Sequence, residues 1–167
     1  RKSTLMNLLM RFYDLKKNDI GQILVDNFNI LEYSKRTYRQ HIGIILQEPV
    51  LFRGTIASNI RYGNDKLSDQ EVTDIIEKIG GSDLLKKFSD GINQRIVRGG
   101  ENLSLGERQL ISFGRVLAAN PSILIMDEAT ANIDTGTEMM IQKALNVVSK
   151  DRTVIVIAHR LSTIKNA

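Results

Sequence analysis

The arrangement of apolar and polar positions predicts four strands. Ile123–Asp127 begins with four apolar residues and ends in Asp127, which Glu128 follows directly. Because a continuous apolar run is typical of a strand that is buried on both faces, this segment is expected inside a parallel sheet. The other predicted strands, which share this apolar and β-branched character, are Ile20–Val25, Ile42–Leu46 and Thr153–Ile157.

Four helices are predicted from apolar residues that recur at helical spacing. They are Ser3 to about Tyr13 (Leu5, Leu8, Leu9 and Phe12), a helix after Ser68 (Val72, Ile75, Ile76 and Ile79), Ser104–Ala119 (Leu110, Phe113, Gly114 and Leu117) and a helix capped by Asp134 (Ile141, Ala144, Leu145 and Val148). Ser68 and Glu71 match a capping box, and Gly80-Gly81 predicts the end of that helix. Asn120-Pro121 predicts the end of the third helix.

The order of these elements predicts how the chain is organised. Strand signals largely vanish between about Thr55 and Leu117, so an α/β part comes first, a helical insertion follows, and a second α/β part completes the sequence. A length of 167 residues, with 42% hydrophobic and 25% charged residues, fits one globular domain or most of one. Aromatic residues make up 5% and Trp is absent, so the core is expected to consist mainly of Leu, Ile and Val.

Charge and cysteine content exclude several kinds of site. The net charge is +4 and the 23 Lys and Arg residues are scattered, which is compatible with phosphate-bearing ligands but does not specifically indicate nucleic acid. The absence of Cys excludes disulfides and thiolate metal sites. No apolar run approaches the roughly 20 residues that span a bilayer, so any membrane-spanning part is expected outside this sequence.

Both ends of the sequence indicate a longer polypeptide. Arg1 is followed at once by Lys2-Ser3-Thr4 and a helical pattern, and Ala167 comes shortly after Ile164 without a C-cap. We therefore expect a fragment that was cut at both ends.

Asp127 and Glu128 are the first candidate catalytic residues. They leave the predicted sheet at its carboxyl end, where open α/β sheets bind ligands. One carboxylate can hold Mg²⁺ while its neighbour orients a water, and hydrolysis of a nucleoside triphosphate requires both. Taken alone, the stretch is equally compatible with a strand that is followed by an acidic turn.

Lys2 and Ser3 stand at the head of the first predicted helix and match the end of the phosphate-binding motif G-x-x-x-x-G-K-[ST]. In that motif backbone N–H groups cradle phosphates, the Lys reaches the β- and γ-phosphates and the hydroxyl binds Mg²⁺. Arg1 stands where the motif has Gly, and a Cβ there could obstruct the close approach of a phosphate. A plain helix start is the alternative interpretation of this pair.

Leu103–Gln109 is a more specific signal. The hydroxyl of Ser104 and the backbone of Gly106 at a helix N-terminus can bind an anion, although an N-capping Ser with an ordinary Gly is the alternative. The segment resembles the signature motif of the ABC ATPases, L-S-G-G-Q, with Leu105 in place of a Gly and Glu107 in place of the Gln.

Four further motifs resemble those of this family and follow in its order. Gln47 resembles the Q-loop glutamine, Asp127-Glu128 the Walker B motif, Ala131–Asp134 the D-loop and His159 the switch histidine. The resemblance covers essentially all 167 residues. It implies an α/β fold of the P-loop NTPase type, with a mainly parallel sheet flanked by helices, an α/β core over 1–54 and 121–167, and an inserted helical subdomain over about 55–120.

The resemblance also implies a role for each site residue. ATP is expected to contact Lys2, Ser3, Thr4, Gln47, Asp127, His159, Ser104, Gly106 and Asp134, and Mg²⁺ is expected to be held by Ser3, Gln47 and Asp127. Catalysis is expected from Glu128 as general base, with His159 and Gln47. Ser104 and Gly106 would contact ATP that is held by a second ABC ATPase domain in a head-to-tail homo- or heterodimer, which Asp134 would help to join.

Gln47–Ile56 and His159–Ile164 resemble the exporter branch of the family. In that branch the ATPase follows a membrane domain, which implies a transmembrane domain on the same or a partner polypeptide, a location at the cytoplasmic face of a bacterial plasma membrane, and no nucleic-acid partner. The implied function is a motor domain that hydrolyses ATP and couples nucleotide-driven dimerisation to transport. The fragment alone is expected to fold poorly, to bind Mg-ATP weakly and to be inactive.

Two other functions stay open. The first is a degenerate, mainly regulatory nucleotide-binding half of a heterodimeric transporter, which Arg1 and Leu105 favour and Glu128 and His159 oppose. The second is a soluble ABC ATPase outside transport, which the exporter-like segment Gln47–Ile56 opposes.

Overall fold

The computed structural model describes residues 2–15, 21–127 and 135–157 of the chain. In chain order, the elements within these ranges are α1 (Lys2–Leu9), β1 (Leu24–Val25), β2 (Phe28–Asn29), α2 (Lys35–Gln40), β3 (Ile42–Ile45), β4 (Gly54–Thr55), α3 (Ile56–Arg61), α4 (Asp69–Lys78), α5 (Ser82–Lys87), β5 (Arg95–Ile96), α6 (Leu105–Ala119), β6 (Ile123–Asp127), α7 (Thr135–Ser149) and β7 (Thr153–Ile157). None of the helices in this described part combines the length and the apolar character that crossing a bilayer requires.

A parallel sheet of β3, β6 and β7 positions the candidate site, and β6 lies between the other two strands. Ile45 lies opposite Met126, and Asp127 lies opposite Ile157. The strands predicted at 123–127 and 153–157 are confirmed, and the third predicted strand ends at Ile45 rather than Leu46. Because the three strands are parallel, their carboxyl ends meet at one edge of the sheet.

The two faces of this sheet belong to different hydrophobic clusters. On one face Ile125 and its neighbours pack against Met10, just after α1, and against Tyr38 of α2. On the other face Met126 packs in a cluster with Phe113 of α6 and Ile141 of α7. Since both faces are covered by helices, successive residues of β6 are apolar, which explains the absence of alternation in the sequence.

Helix α6 connects the sheet to the helical part of the chain. One side of α6, with Ile111, packs with Ile60 of α3 and Ile76 of α4. Another side, with Leu110 and Phe113, packs against the sheet and α7. Since α6 packs with both parts, its contacts do not separate them. The boundaries between 1–54, 55–120 and 121–167 remain a prediction. The antiparallel pair of β4 and β5 also lies in this region, although strands of two residues leave no hydrophobic pattern to detect.

The predicted ends of two helices are confirmed in atomic detail. Ser68 caps α4 in a capping box with Glu71, and Gly80 follows that helix with a left-handed φ of 79°. Ser104 caps α6, and Asn120 ends it in the left-handed conformation. The helix predicted near the end of the chain is α7, whose residues Ile141, Ala144 and Val148 are fully buried.

Helix α1 is shorter than the predicted Ser3–Tyr13, because it ends at Leu9. Arg11 takes a left-handed φ of 52°, which stops the helix. The buried guanidinium of Arg11 donates hydrogen bonds of 2.8 Å to the carbonyl groups of Ile30 and Tyr33, so a distant contact outweighs the local helical pattern.

The apolar face that the sequence pattern predicts for this helix is only partly buried. Leu5 is 55% exposed and Phe12, beyond the helix end, is 53% exposed. Leu9 of the predicted face packs towards the sheet together with Met6 and Met10. The side of α1 that faces the core is therefore set by how the helix lies on the sheet.

The strand predicted at Ile20–Val25 is also corrected. Within this segment, the described residues 21–25 form a strand only at Leu24–Val25, and Ile20 lies outside the described part. β1 pairs with β2 in an antiparallel hairpin across Asp26 and Asn27, whose φ values are 51° and 69°. Two positive φ values are typical of a two-residue type I′ turn, so this Asp-Asn pair was an overlooked hairpin signal.

Candidate functional site

The carboxyl edge of the sheet brings two sequence-predicted residues into neighbouring positions. Asp127 is the last residue of β6, and Gln47 follows β3 by two residues. Since Ile45 of β3 lies opposite Met126 of β6, the chain leaves both strands at the same level. The side chain of Gln47 is exposed and that of Asp127 is partly buried, so both can reach a ligand at this edge.

Gln109 of α6 holds the segment that carries Gln47. Its Nε2 donates hydrogen bonds to the carbonyl groups of Leu46 at 3.2 Å and Gln47 at 2.9 Å. Gln109 has no exposed surface, and among the described residues its Oε1 has no hydrogen-bond partner. The contact fixes the backbone of Gln47, and among the described residues its side chain forms no hydrogen bond.

The sequence analysis assigned no role to Gln109, although a signal was present. Gln109 stands three residues after Gly106 and four before Phe113, at the spacing of one helical face. A polar amide on a face that is otherwise apolar is expected to have a specific buried partner. That reasoning would have singled out the residue without naming its partner.

Asn59 and Arg115 hold the chain just beyond Gln47. Asn59 is 1% exposed, accepts a hydrogen bond from the Phe52 backbone at 2.9 Å and donates one back to the Phe52 carbonyl at 2.8 Å. Arg115 of α6 donates to the Asn59 side chain at 3.0 Å and to the Val50 carbonyl at 3.1 Å. Burial lowers the pKa of the Arg115 guanidinium from its usual value. Residues 46–55 are thus attached to α3 and α6 through side chains.

The first turn of α6 forms a capping box with an attached ion pair. The Ser104 hydroxyl accepts a hydrogen bond from the Glu107 backbone at 3.2 Å, and Glu107 Oε2 accepts one from the Ser104 backbone at 2.7 Å. Glu107 Oε1 lies 2.7 Å from the Lys87 ammonium of α5. Partial burial raises the pKa of the Glu107 carboxyl, but hydrogen bonds from Lys87 and Ser104 outweigh this and leave the pKa below its usual value. The exposed Ser104 hydroxyl keeps its own hydrogen for donation to a ligand.

Gly106 is required by packing within the chain. A Cβ built on Gly106 would overlap Cγ2 of Thr137 and would lie 3.1 Å from Cε of Met140, both on α7. The absence of a side chain therefore lets α6 and α7 approach closely. This packing requirement is separate from the contact with ATP that the resemblance implies for Gly106. Leu105 beside it is partly buried.

These features match a known family. The sequence profile described as "ABC transporter" matches residues 2–131, which is most of the chain. The chain belongs to the ABC transporter family. Its fold is that of an ABC transporter nucleotide-binding domain, a P-loop NTPase with a parallel sheet and flanking helices, which confirms the predicted fold class.

Relatives and solved structures place the chain beside exporters of this family. It is 52% identical over 166 residues to the "Probable multidrug resistance ABC transporter ATP-binding/permease protein YheH" of Bacillus subtilis. This alignment covers 99% of the chain and 24% of that protein. It is 41% identical to the "Fatty acid ABC transporter ATP-binding/permease protein" of Mycobacterium bovis, covering 99% and 26%. The solved "Structure of a bacterial Atm1-family ABC exporter with ATP bound" aligns with a TM-score of 0.86 at 40% identity, covering 99% of the chain and 28% of that structure's chain. The chain thus spans about a quarter of the length of these proteins.

The structure describes only some of the other site residues that the resemblance implies. Thr4 lies exposed in α1, and Lys2 and Ser3 belong to the same helix, but their side chains lie outside the described part. Glu128, Asp134 and His159 lie outside the described residues. Within the described residues, the structure relates the end of β6, the segment that carries Gln47 and α6 to one another.

The oxygen atoms at the sheet edge suit a magnesium ion of an ABC nucleotide site. Asp127 supplies a carboxylate and Gln47 an amide oxygen, both of which are hard donors. The described residues contain no cluster of three His, Cys, Asp or Glu side chains that could hold a metal ion. Mg²⁺ is commonly bound through one or two protein groups together with substrate phosphates, so this sparse donor set fits it.

Proposed function

We propose that the chain is the ATP-binding and ATP-hydrolysing motor domain of an ABC exporter, in which nucleotide-driven dimerisation drives a substrate across a membrane. The position of Asp127 at the sheet edge, beside a Q-loop segment that Gln109 attaches to the signature helix, carries the proposal. The relatives support it, because their names describe ATP-binding/permease proteins. The related solved structure is described as an exporter with ATP bound.

At the nucleotide site, Lys2, Ser3 and Thr4 would bind the phosphates of ATP at the start of α1. Ser3, Gln47 and Asp127 would hold Mg²⁺, directly or through water. An ion held there would supply positive charge that stabilises the negative charge developing on the phosphates during hydrolysis. Asp127 ends the middle strand of the sheet, where it lies opposite Ile157 of β7, and the residue before it, Met126, has neighbours in both β3 and β7. A rigid strand end is a suitable support for a metal ligand.

The hydrolytic step needs a base and a donor at the γ-phosphate. Glu128 would accept a proton from the attacking water as the bond from the γ-phosphorus to the bridging oxygen breaks, which yields ADP and phosphate. His159 would donate a hydrogen bond to the γ-phosphate and hold the geometry. Each residue comes directly after a strand of the parallel sheet or two residues beyond one.

The signature end of α6 would serve a second nucleotide. The Ser104 hydroxyl and the free N–H groups of the first helical turn would contact ATP that is held by the Lys2 and Ser3 positions of another ABC ATPase domain. Asp134 would help to join the two sites. ATP would then lie within the dimer interface, and its hydrolysis would open the dimer and move the transmembrane domains. The chain would then lie at the cytoplasmic face of a bacterial plasma membrane.

The test is Mg-ATP hydrolysis by the full-length protein that contains this sequence, beside its Glu128→Gln variant. We expect the variant to bind ATP and to lose at least about 100-fold in kcat, because general base catalysis contributes roughly that much. Glu77→Gln, on the exposed side of α4, is the matched control and should leave kcat unchanged. If neither the wild type nor the variant hydrolyses ATP while both bind it, the chain is the regulatory half of an asymmetric pair. Failure of both to bind ATP would reject a nucleotide function.

A further inference from the structure

The signature end of α6 carries a negative charge at the place where the proposed function brings a phosphate. Glu107 stands in the first helical turn, at the position where the ABC signature motif usually has an uncharged Gln. One of its oxygens is held by the Ser104 backbone and the other by Lys87, and its side chain is only 15% exposed. Glu107 is therefore a fixed carboxylate close to the helix N-terminus.

A fixed carboxylate there opposes the attraction of the helix end. The free N–H groups of the first turn attract an anion, but a negative charge a few ångströms away repels it. A cation in contact with the carboxylate turns the two charges into a neutral pair, whose field falls off faster with distance than that of a single charge. The effect of Glu107 on an incoming phosphate thus depends on its counter-ion.

Lys87 is that counter-ion. It is the last residue of α5 and places its Nζ 2.7 Å from Glu107 Oε1. Arg108, the next cation along α6, directs its guanidinium to the carbonyl groups of Gly100 and Leu103 instead. Among the described residues, Glu107 forms no ion pair except the one with Lys87.

We propose that Lys87 is a positioning residue of the signature motif, which neutralises Glu107 so that the N-terminus of α6 can receive the triphosphate of ATP held by the second ABC ATPase domain. This inference rests on the proposed function and names a residue that makes a Glu-containing signature compatible with it. Lys87 does not contact the nucleotide; it acts through Glu107 and Ser104.

The neighbouring lysine provides a matched control. Lys86 lies on the same helix turn, is 79% exposed, and approaches only Asp83, at 4.0 Å, among the described acidic residues. Lys86→Met and Lys87→Met change the net charge equally, but only the second leaves Glu107 without its partner. A general charge effect and a specific one are thereby distinguished.

The experiment uses the full-length protein with Glu128→Gln to prevent turnover, and measures the Mg-ATP concentration that closes the two ATPase domains onto each other, by cross-linking or by a distance probe. At low salt we expect Lys87→Met to raise that concentration about tenfold, and salt near 1 M to remove most of the difference. Lys86→Met should match the parent. Glu107→Gln should close at the parent's concentration or below it, since Gln can still complete a capping box.

The double variant decides the interpretation. Lys87→Met with Glu107→Gln should close at nearly the parent's concentration, because no uncompensated carboxylate remains. Melting temperatures should differ little, since partly exposed ion pairs contribute little stability. A double variant no better than Lys87→Met, or a Lys87→Met variant that equals Lys86→Met, would overturn the role of Lys87 and leave ATP hydrolysis by the wild type intact. A wild type that neither binds nor hydrolyses ATP would overturn the proposed function itself.

Discussion

The carboxyl edge of the sheet and the signature end of α6 hold their candidate residues by different means. For Asp127 at the sheet edge the backbone provides the support, because Asp127 is the last residue of β6, which pairs with β3 and β7. At the signature end side chains provide it, through the contacts of Ser104, Glu107 and Lys87. A strand ladder spreads its support over many bonds, whereas a single substitution removes a side-chain contact. We infer that the position of Asp127 tolerates single substitutions on the protein surface. The geometry at the signature end should change when a single side chain is substituted.

The largest effect is expected from a change in the sheet itself. Ile125 has no exposed surface, and Ile125→Ala would leave a cavity beside Met10 and Tyr38. We expect a loss of about 3 kcal/mol in the free energy of unfolding. For a domain of this size that corresponds to a melting temperature lower by about 6–12 °C. Thermal melting of the full-length protein is the measurement, with Val97→Ala, at a half-exposed site, as the control. Equal shifts for both variants would contradict the view that this sheet is the rigid support.

The contact between α6 and α7 distinguishes packing from ligand binding at the signature end. Gly106→Ala brings a methyl group against Thr137, so we expect a loss of about 1–3 kcal/mol in the free energy of unfolding. Adding Thr137→Ser removes the overlapping methyl group and should recover most of the lost melting temperature. An unchanged melting temperature together with a loss of ATP-driven closure would show instead that the ligand, and not α7, requires glycine at this position.

The same contrast explains what could be predicted from the sequence. β6 and β7 follow from apolar runs that a doubly covered sheet requires, and the cap of α6 follows from Ser104 at its start, because these are local patterns. The end of α1 could not be predicted, since it depends on Arg11 reaching carbonyl groups about twenty residues away in the chain.

The candidate site shows the same division between local and distant signals. Gln47 and Asp127 were found through motifs, and their neighbouring strand ends follow from a parallel sheet. The partners of Gln109 and Lys87 could not be predicted, because they lie 62 and 20 residues away and hydrophobic periodicity carries no information about such polar pairs. Motifs indicate the groups that are expected to meet a ligand, whereas the side chains that hold those groups are found only from the fold.

Gln109 provides the finest test of the comparison, because it joins the two regions. Gln109→Met keeps the side-chain volume but removes both hydrogen bonds to the carbonyl groups of Leu46 and Gln47. The substitution also removes Oε1, which has no partner among the described residues, so we expect a loss of only about 1 kcal/mol in the free energy of unfolding. The larger consequence concerns ATP hydrolysis. Once the backbone of Gln47 is released, we expect its side-chain amide to move out of position. A small misplacement of a site residue lowers kcat by about 10- to 100-fold.

Comparing stability with turnover decides between a structural and a positioning role for Gln109. The measurements are the melting temperature and kcat at saturating Mg-ATP in the full-length protein. Gln70→Met is the matched control, because Gln70 is exposed and, within the described part of the chain, its side chain bonds only to Asp74 of its own helix. A fall in kcat with a small change in melting temperature would show that α6 positions the Q-loop. An unchanged kcat would show that Gln47 is held by the edge of the sheet alone, and the two regions would then act independently.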